Sequence, residues 1–353
     1  MNLNSTSQLL ARNENELSGK VLFANPEDTY PLDISRQADV YAWCQSKTSY
    51  DALDRVGFAE EKLLLSEQWA AENGTDFDYI IVYQPKAKEL LDYLLAAVLP
   101  LLKDGGQIWL VGDNKSGVKS SAKRLEAGLD EVGKLDSAKH CLLYAGYKRR
   151  PAKPFVFADW IVSWQQEVAG QTLILCSLPG VFGHGKLDKG TELLLNQLNE
   201  HRFMSDAANA RILDFGCGDG IIALWLYNKT GARITALDDS ALALKATELT
   251  FAANQASDAL TTLASNGLNE VKGRFNYVVT NPPFHTGINT DYNIAESFFM
   301  TVKQHLTLNG ELFVVANDFL RYPPILDAAL GSHTRLFRDK GFAIYHGRQP
   351  KKR

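Results

Sequence analysis

The 353 residues are enough for two domains of the usual ~100–200 residues each. With 45% hydrophobic and 22% charged residues, a disordered, collagen-like or coiled-coil chain is excluded. Lys+Arg 37 against Asp+Glu 41 leaves a net charge of −4, so any contact with nucleic acid must come from local basic patches rather than overall charge.

The N-terminus, Met1 to Ser7, has no basic segment followed by an apolar one, so no signal peptide is expected. The most apolar stretch, Leu90 to Leu102, is too short to span a membrane and is interrupted by Asp92 and Pro100. Cys44, Cys141, Cys176 and Cys217 are scattered, without a paired spacing or a nearby His, so neither a disulfide framework nor a metal site is expected. These features predict a soluble cytoplasmic protein without membrane contact.

In the first half, Phe77 to Val82 reads as a buried strand, followed by an apolar helix, a turn at Asp104-Gly105-Gly106 and a strand over Gln107 to Val111. Lys115, Lys119 and Lys123 recur every four residues beside Arg124; a helix from Ser116 onward would gather them on one face, either solvated or set against RNA phosphates. Lys148 to Pro154 combines four cations and two prolines and reads as a hinge. It divides the chain into domains at 1–150 and 151–353. The hinge cations and the basic tail from Arg348 to Arg353 admit the same two readings as the lysines.

After the hinge, Leu173 to Leu178 is extended and ends at Pro179-Gly180. Arg211 to Phe215 is a strand that stops at Gly216-Cys217-Gly218-Asp219-Gly220, with a helix starting at Ile221. A strand over Arg233 to Leu237 ends at Asp238-Asp239, and a helix covers Ala241 to Asn254. Phe275 to Thr280 is a strand closed by Asn281-Pro282-Pro283-Phe284, followed by a helix over Ala295 to Leu306, a turn at Asn309-Gly310 and a strand to Ala316. Alternating strands and helices predict a parallel, doubly wound α/β sheet. Phe77 to Lys86 resembles Phe275 to Phe284 and the following elements correspond, which points to an internal duplication. The first copy lacks a glycine loop after a strand, and Gln84-Pro85-Lys86 replaces Asn281-Pro282-Pro283-Phe284, so it keeps the scaffold and lacks the chemistry.

Glycines after a strand let the backbone approach a ligand, and the next helix offers free N–H groups. Asp238, at the end of the next strand, suits the two hydroxyls of a ribose. The third glycine stands at 220, and Ile221 takes the place that a dinucleotide fingerprint gives to glycine. Asp214 and Asp219 would repel a pyrophosphate and suit a ligand with an ammonium and a sulfonium, so S-adenosyl-L-methionine fits better than NAD. In Asn281-Pro282-Pro283-Phe284, the Asn281 side-chain oxygen and the Pro282 carbonyl can each accept one N–H of an amine conjugated to a ring. That aligns the nitrogen for attack on a methyl carbon, and Phe284 offers a face for stacking. Orientation alone can contribute roughly 7–11 kcal/mol, so no metal is required.

These motifs resemble class I methyltransferases acting on planar nitrogen. With Leu178 to Phe182, Leu187 to Thr191, Asn281 to Gly287, Val111 to Ser120 and Leu135 to Lys139, the chain further resembles the RsmC family of small-subunit ribosomal RNA guanine-N2 methyltransferases. The resemblance implies two tandem class I (Rossmann-like) methyltransferase domains, with a degenerate N-terminal copy that binds no cofactor. It implies transfer from S-adenosyl-L-methionine to the N2 amine of a guanine in 16S rRNA, within the 30S subunit or an assembly intermediate. Matched residue by residue, it places Asp214 and Gly216 at the cofactor's methionine end, Asp238 on the ribose and Asn266 near the adenine, with Gly218, Gly220 and Asn281 also among the cofactor-binding residues. Asn281, Pro282, Pro283 and Phe284 would hold the base. The loop has Asp219 where members often carry Ala.

A fused duplicate can replace a homodimer, so a monomer is expected. His285 reads as shaping the pocket, since water can take the proton released. Cys217 reads as a space-filling residue, and Trp160 and Trp164, one helical turn apart if helical, as packing. Lys189 and Thr191 would order the segment over the methionine end, or Thr191 would cap the helix that follows. Three other readings stay open: the same chemistry on adenine N6 or a glutamine side-chain amide, an NAD-dependent oxidoreductase, and a non-catalytic RNA-binding protein. Phe284 in place of Tyr argues against the first.

Overall fold

The computed structural model describes residues 3–200, 204, 207–282, 288–339 and 341–349. They form two compact units, Met1–Trp160 and Ile161–Arg353. The division falls ten residues beyond the sequence boundary at 150. The segment after the hinge packs back on the first unit, where Phe155 and Trp160 each meet Tyr93 edge-on at 5.4 Å.

In the first unit, helix α1 (Ser5–Ala11) precedes strands β1 (Lys20–Ala24), β2 (Asp39–Cys44), β3 (Leu63–Leu65), β4 (Phe77–Tyr83), β5 (Leu102–Asp113), β6 (Asp130–Ala138) and β7 (Cys141–Tyr147). Helices α2 (Tyr30–Ile34), α3 (Lys47–Arg55), α4 (Lys88–Val98) and α5 (Val118–Ser121) lie between them. The second unit opens with a hairpin, β8 (Val162–Val168) and β9 (Gln171–Ser177), and helix α6 (Lys189–Glu200). Strands β10 (Arg211–Phe215), β11 (Arg233–Asp238), β12 (Leu260–Ala264), β13 (Phe275–Thr280), β14 (Leu306–Asn317), β15 (His333–Asp339) and β16 (Phe342–Arg348) follow. They alternate with α7 (Ile221–Thr230), α8 (Ala241–Ala253), α9 (Ile288–Val302) and α10 (Tyr322–Leu330).

The two seven-stranded sheets have the same order, β3-β2-β1-β4-β5-β7-β6 and β12-β11-β10-β13-β14-β16-β15. The expectation of a wholly parallel sheet needs one correction. β7 and β16 each run antiparallel to both neighbours, because a hairpin joins each to the strand before it. The glycines read as turns at 105–106 and 310 lie inside long strands, at matching register shifts between Phe77/Tyr79 and Phe275/Tyr277. The helix expected to reach Leu306 ends at Val302, since Leu306 already pairs with Phe275.

The duplication is visible residue by residue. Val21 pairs with Val40 as Ile212 pairs with Ile234. Ser46 caps α3 through the Ser49 N–H, and Ser240 caps α8 through the Ala243 N–H. Central strands β10 and β13 are buried apolar runs because helices cover both faces of the sheet. Residues Ile221 to Leu226 of α7 are all buried, so this helix is enclosed in the core. Gly231, at φ +69°, ends it. Among the described residues no helix is long and apolar enough to cross a membrane, and no His, Cys, Asp and Glu cluster could hold a metal. All four cysteines are free and buried.

Candidate active site

In the second sheet the chain order reverses between β10 and β13, which opens a crevice at their carboxyl ends. Phe215 pairs with Thr280, so Gly216 and Asn281 leave the sheet side by side. The Thr280 hydroxyl donates to the Phe215 carbonyl at 2.7 Å and fixes that juxtaposition.

Gly216, Gly218 and Gly220 all have positive φ, at +74°, +55° and +82°, so the loop turns in a way that side chains would strain. It is tied to its neighbours. The Gly216 and Cys217 N–H groups donate to the Leu237 carbonyl, and the Gly218 N–H donates to Asp238 Oδ2 at 3.1 Å. The Thr247 hydroxyl donates to the Gly218 carbonyl at 3.1 Å. The segment from Leu178 to Leu187 runs against the loop: a Cβ on Gly218 would stand 3.8 Å from the Phe182 carbonyl.

Three carboxylates surround the loop. Asp214 is 0% exposed; Oδ2 accepts the Ala223 N–H at 3.0 Å, and buried Oδ1 has no partner. Burial pushes its carboxyl up to about 8, partly offset by the Ala223 bond, while the Asp238 and Asp219 charges raise it further. Asp219 accepts the Ile221 N–H, and burial raises it to about 7. Asp238 is raised to about 6 by burial, against the Ser240 and Gly218 N–H bonds that lower it. Each Asp238 oxygen therefore already accepts one bond and keeps a lone pair for a hydroxyl. Burial also pushes the Cys217 thiol up, so it is not a nucleophile. A glycine-rich loop and three buried carboxylates whose ionisation burial disfavours fit a cofactor that brings positive charge.

On the β13 side, the Asn281 NH₂ donates to Asp188 Oδ2 and to Thr191 Oγ1, both at 2.9 Å. The same Asp188 oxygen accepts the Thr191 N–H at 2.9 Å and caps α6. Asp188, not Thr191, is thus the cap. Sequence reasoning gave Asp188 no role, although its place three residues before Thr191 and just ahead of an apolar run is a helix-start pattern. Pro282 is buried, and Asn266 is exposed one residue past Ser265, whose N–H donates to the Asp238 carbonyl. Pro283, Phe284 and His285 lie outside the described residues.

The expectation of one basic helical face in the first unit does not hold. Lys115 sits in a tight turn, Gly117 at φ +80° interrupts the chain, and only Val118–Ser121 is α-helical. Arg124 is paired with Asp92. Lys115, Lys119 and Lys123 are exposed and in no ion pair among the described residues. Three of the four hinge cations are engaged within the first unit: Lys148 with the Leu102 carbonyl, Arg149 with Glu131 and Arg150 with Asp130. Trp160 and Trp164 do not share a helix; Trp160 is in the turn Phe157–Trp160 and Trp164 in β8.

The family description "Methyltransferase small domain" matches residues 172–346, and "Methyltransferase small domain N-terminal" matches residues 7–164. The Ribosomal RNA small subunit methyltransferase C of Marinomonas sp. (strain MWYL1) is 86% identical over 353 residues, 100% of each chain. The protein of the same name from Pseudoalteromonas atlantica is 38% identical over 97% of this chain and 98% of its own. This chain belongs to the ribosomal RNA small subunit methyltransferase C family. Its fold matches a solved structure, the T. thermophilus 16S rRNA N2 G1207 methyltransferase (RsmC) in complex with AdoMet and guanosine, with a TM-score of 0.84 over 98% of this chain and 92% of that one, at 24% identity.

The family's two-domain plan gives the first unit meaning. By register, Phe23 stands where Asp214 does, Asn25 at Gly216, Glu27 at Gly218, Cys44 at Asp238 and Tyr83 at Asn281. Asn25 keeps the positive φ, at +57°, and Asp28 accepts the Tyr30 N–H as Asp219 accepts that of Ile221. The backbone of the loop persists while its chemistry is replaced.

Proposed function

We propose that the chain transfers a methyl group from S-adenosyl-L-methionine to the exocyclic N2 amine of a guanine in 16S rRNA, at a site built by the second unit. The observation that carries this reading is the Asn281 carboxamide, set beside the glycine loop with both N–H groups already used. S-adenosyl-L-methionine, when bound, supplies a methyl group on a positively charged sulfonium. Asp214, Gly216, Gly218 and Gly220 would take its methionine end, Asp238 the ribose and Asn266 the side of the adenine.

Asn281 Oδ1 accepts one N–H of the guanine amine and the Pro282 carbonyl the other. That draws the nitrogen lone pair out of conjugation and aims it along the line of transfer. The methylated nitrogen then gives up a proton to water. The base must leave its stack to reach the crevice, so it is flipped or already unpaired, with Phe284 stacking on it.

The first unit, with Phe23, Glu27 and Tyr83 at the cofactor positions, serves RNA positioning and not cofactor binding. Exposed Lys115, Lys119 and Lys123 support this reading; Arg124, held by Asp92, contributes less. The substrate in this reading is the 30S subunit or an assembly intermediate, met by a monomer in the cytoplasm.

The test is transfer of labelled methyl to unmodified small subunits, naked 16S rRNA and a release-factor protein, with the products digested. N2-methylguanine is the expected product. Label in N6-methyladenine or methylglutamine refutes the acceptor.

A further inference from the structure

We infer that Asp188 and Thr191 are positioning residues that fix which end of the Asn281 carboxamide faces the acceptor, and thereby restrict the site to groups that donate N–H. The inference deepens the methyl-transfer reading and rests on it.

A carboxamide is almost symmetric in shape. Half a turn about its last bond exchanges an acceptor oxygen for a donor NH₂ at nearly the same position, so packing alone cannot choose between them. Here the partners choose. Both N–H groups point at oxygens, Asp188 Oδ2 and Thr191 Oγ1, each 2.9 Å away. In the reversed orientation, Asn281 Oδ1 would face the Asp188 carboxylate with no proton between them. A hydroxyl can rotate to donate, but an ionised carboxylate only accepts. Asp188 therefore excludes the reversed orientation, and Thr191, by taking the second N–H, holds the plane of the carboxamide so that Oδ1 stays aimed at the acceptor; both contacts are needed.

The clamp is itself held. Asp188 Oδ2 also accepts the Thr191 N–H, and negative charge is favoured at the start of a helix. Gly190 leaves room for it: a Cβ there would stand 3.1 Å from that oxygen and 3.0 Å from the Phe342 ring. Thr191 is buried, so water does not compete for its oxygen.

The first unit supplies a comparison. Ser7 of α1 meets Tyr83 at the end of β4, hydroxyl to hydroxyl at 2.8 Å, and either oxygen can donate. A contact from the first helix to the end of this strand belongs to both copies. A contact with one fixed polarity belongs to the second. The consequence is chemical selection along one base. Guanine's N2 amine donates and is accepted; its O6 and N7 only accept, and would meet a second acceptor.

Steady-state methylation of unmodified small subunits tests this, alongside calorimetric binding of S-adenosylhomocysteine. Thr191→Val keeps the side-chain shape and removes the acceptor. It should lower kcat at least tenfold while KM for the RNA and S-adenosylhomocysteine affinity stay within twofold. Thr191→Ser should return kcat to within twofold of the parent. Asp188→Asn, which can donate to a reversed carboxamide, should also lose at least tenfold in kcat. A valine variant as active as the parent, a serine variant as poor as valine, or a loss of S-adenosylhomocysteine binding in step with kcat overturns the inference. A parent that forms no N2-methylguanine overturns the underlying reading, and this one with it. An active parent with an unaffected valine variant overturns this one alone.

Discussion

Replacing Asp214 by asparagine should change how the stability of the second unit depends on pH. Asp214 is fully buried and its carboxyl is raised to about 8, with burial as the main cause. In the unfolded chain the same group titrates near ~4. Below about pH 4 both states hold the proton and its titration adds no pH dependence. Between about pH 4 and pH 8 the folded state keeps a proton that the unfolded state has released, so stability falls as pH rises, by ~1.4 kcal/mol per unit. From about pH 5 to about pH 8 this amounts to roughly 4 kcal/mol.

Asparagine does not titrate. It can keep its oxygen on the Ala223 N–H, but its NH₂ then lies where Oδ1 has no partner. That costs about 1–3 kcal/mol at every pH. The difference between variant and parent should therefore shift in favour of the variant as pH rises, by about 10 °C in melting temperature over this range for a unit of this size. Scanning calorimetry of both proteins without cofactor, at several pH values, measures it. Asp219 and Asp238 titrate in both proteins and largely cancel in the difference. Melting temperatures that run parallel across the range would refute the assignment of a protonated, buried Asp214.

Gly220→Ala combines φ +82° with a Cβ 2.9 Å from Thr247 Cγ2, and should cost about 2–4 kcal/mol in urea denaturation. Gly231→Ala, at φ +69° with nothing within 4 Å, should cost only about 1 kcal/mol; equal costs would contradict the close packing of loop on α8. Asn281→Ala should abolish methyl transfer while S-adenosylhomocysteine affinity stays nearly unchanged, and collapse of that affinity would move Asn281 out of acceptor binding. Replacing Lys115, Lys119 and Lys123 by Glu should weaken RNA binding and flatten its dependence on salt. An unchanged slope in filter binding would make those lysines a solvated surface.

The strands bearing the site were legible because they are short apolar runs that stop at glycine, aspartate or Asn-Pro. Arg211–Phe215 and Phe275–Thr280 have the bounds that their residues suggest. The antiparallel hairpins at the sheet edges were not, because β6 and β15 are half-exposed and carry little apolar alternation. Lys115, Lys119 and Lys123 show how spacing misleads. A four-residue repeat implies a helical face only if the backbone is helical throughout, and Gly117 breaks it. The glycine loop's left-handed turns followed from residue type. The role of Asp188 did not, since it depends on a partner 93 residues away.

The two copies differ in what their folding depends on. In the second, Asp214, Asp219 and Asp238 are buried at a cost that a cationic cofactor can relieve. In the first, Phe23 and Cys44 have removed two of those acids, and Asp28 accepts bonds from Ser7, Asn4 and Tyr30. In the proposed reading, one polypeptide joins a body whose folding is indifferent to the supply of methyl donor to one whose folding draws on it. On that reading, starvation for the donor would loosen the second unit and leave the first intact.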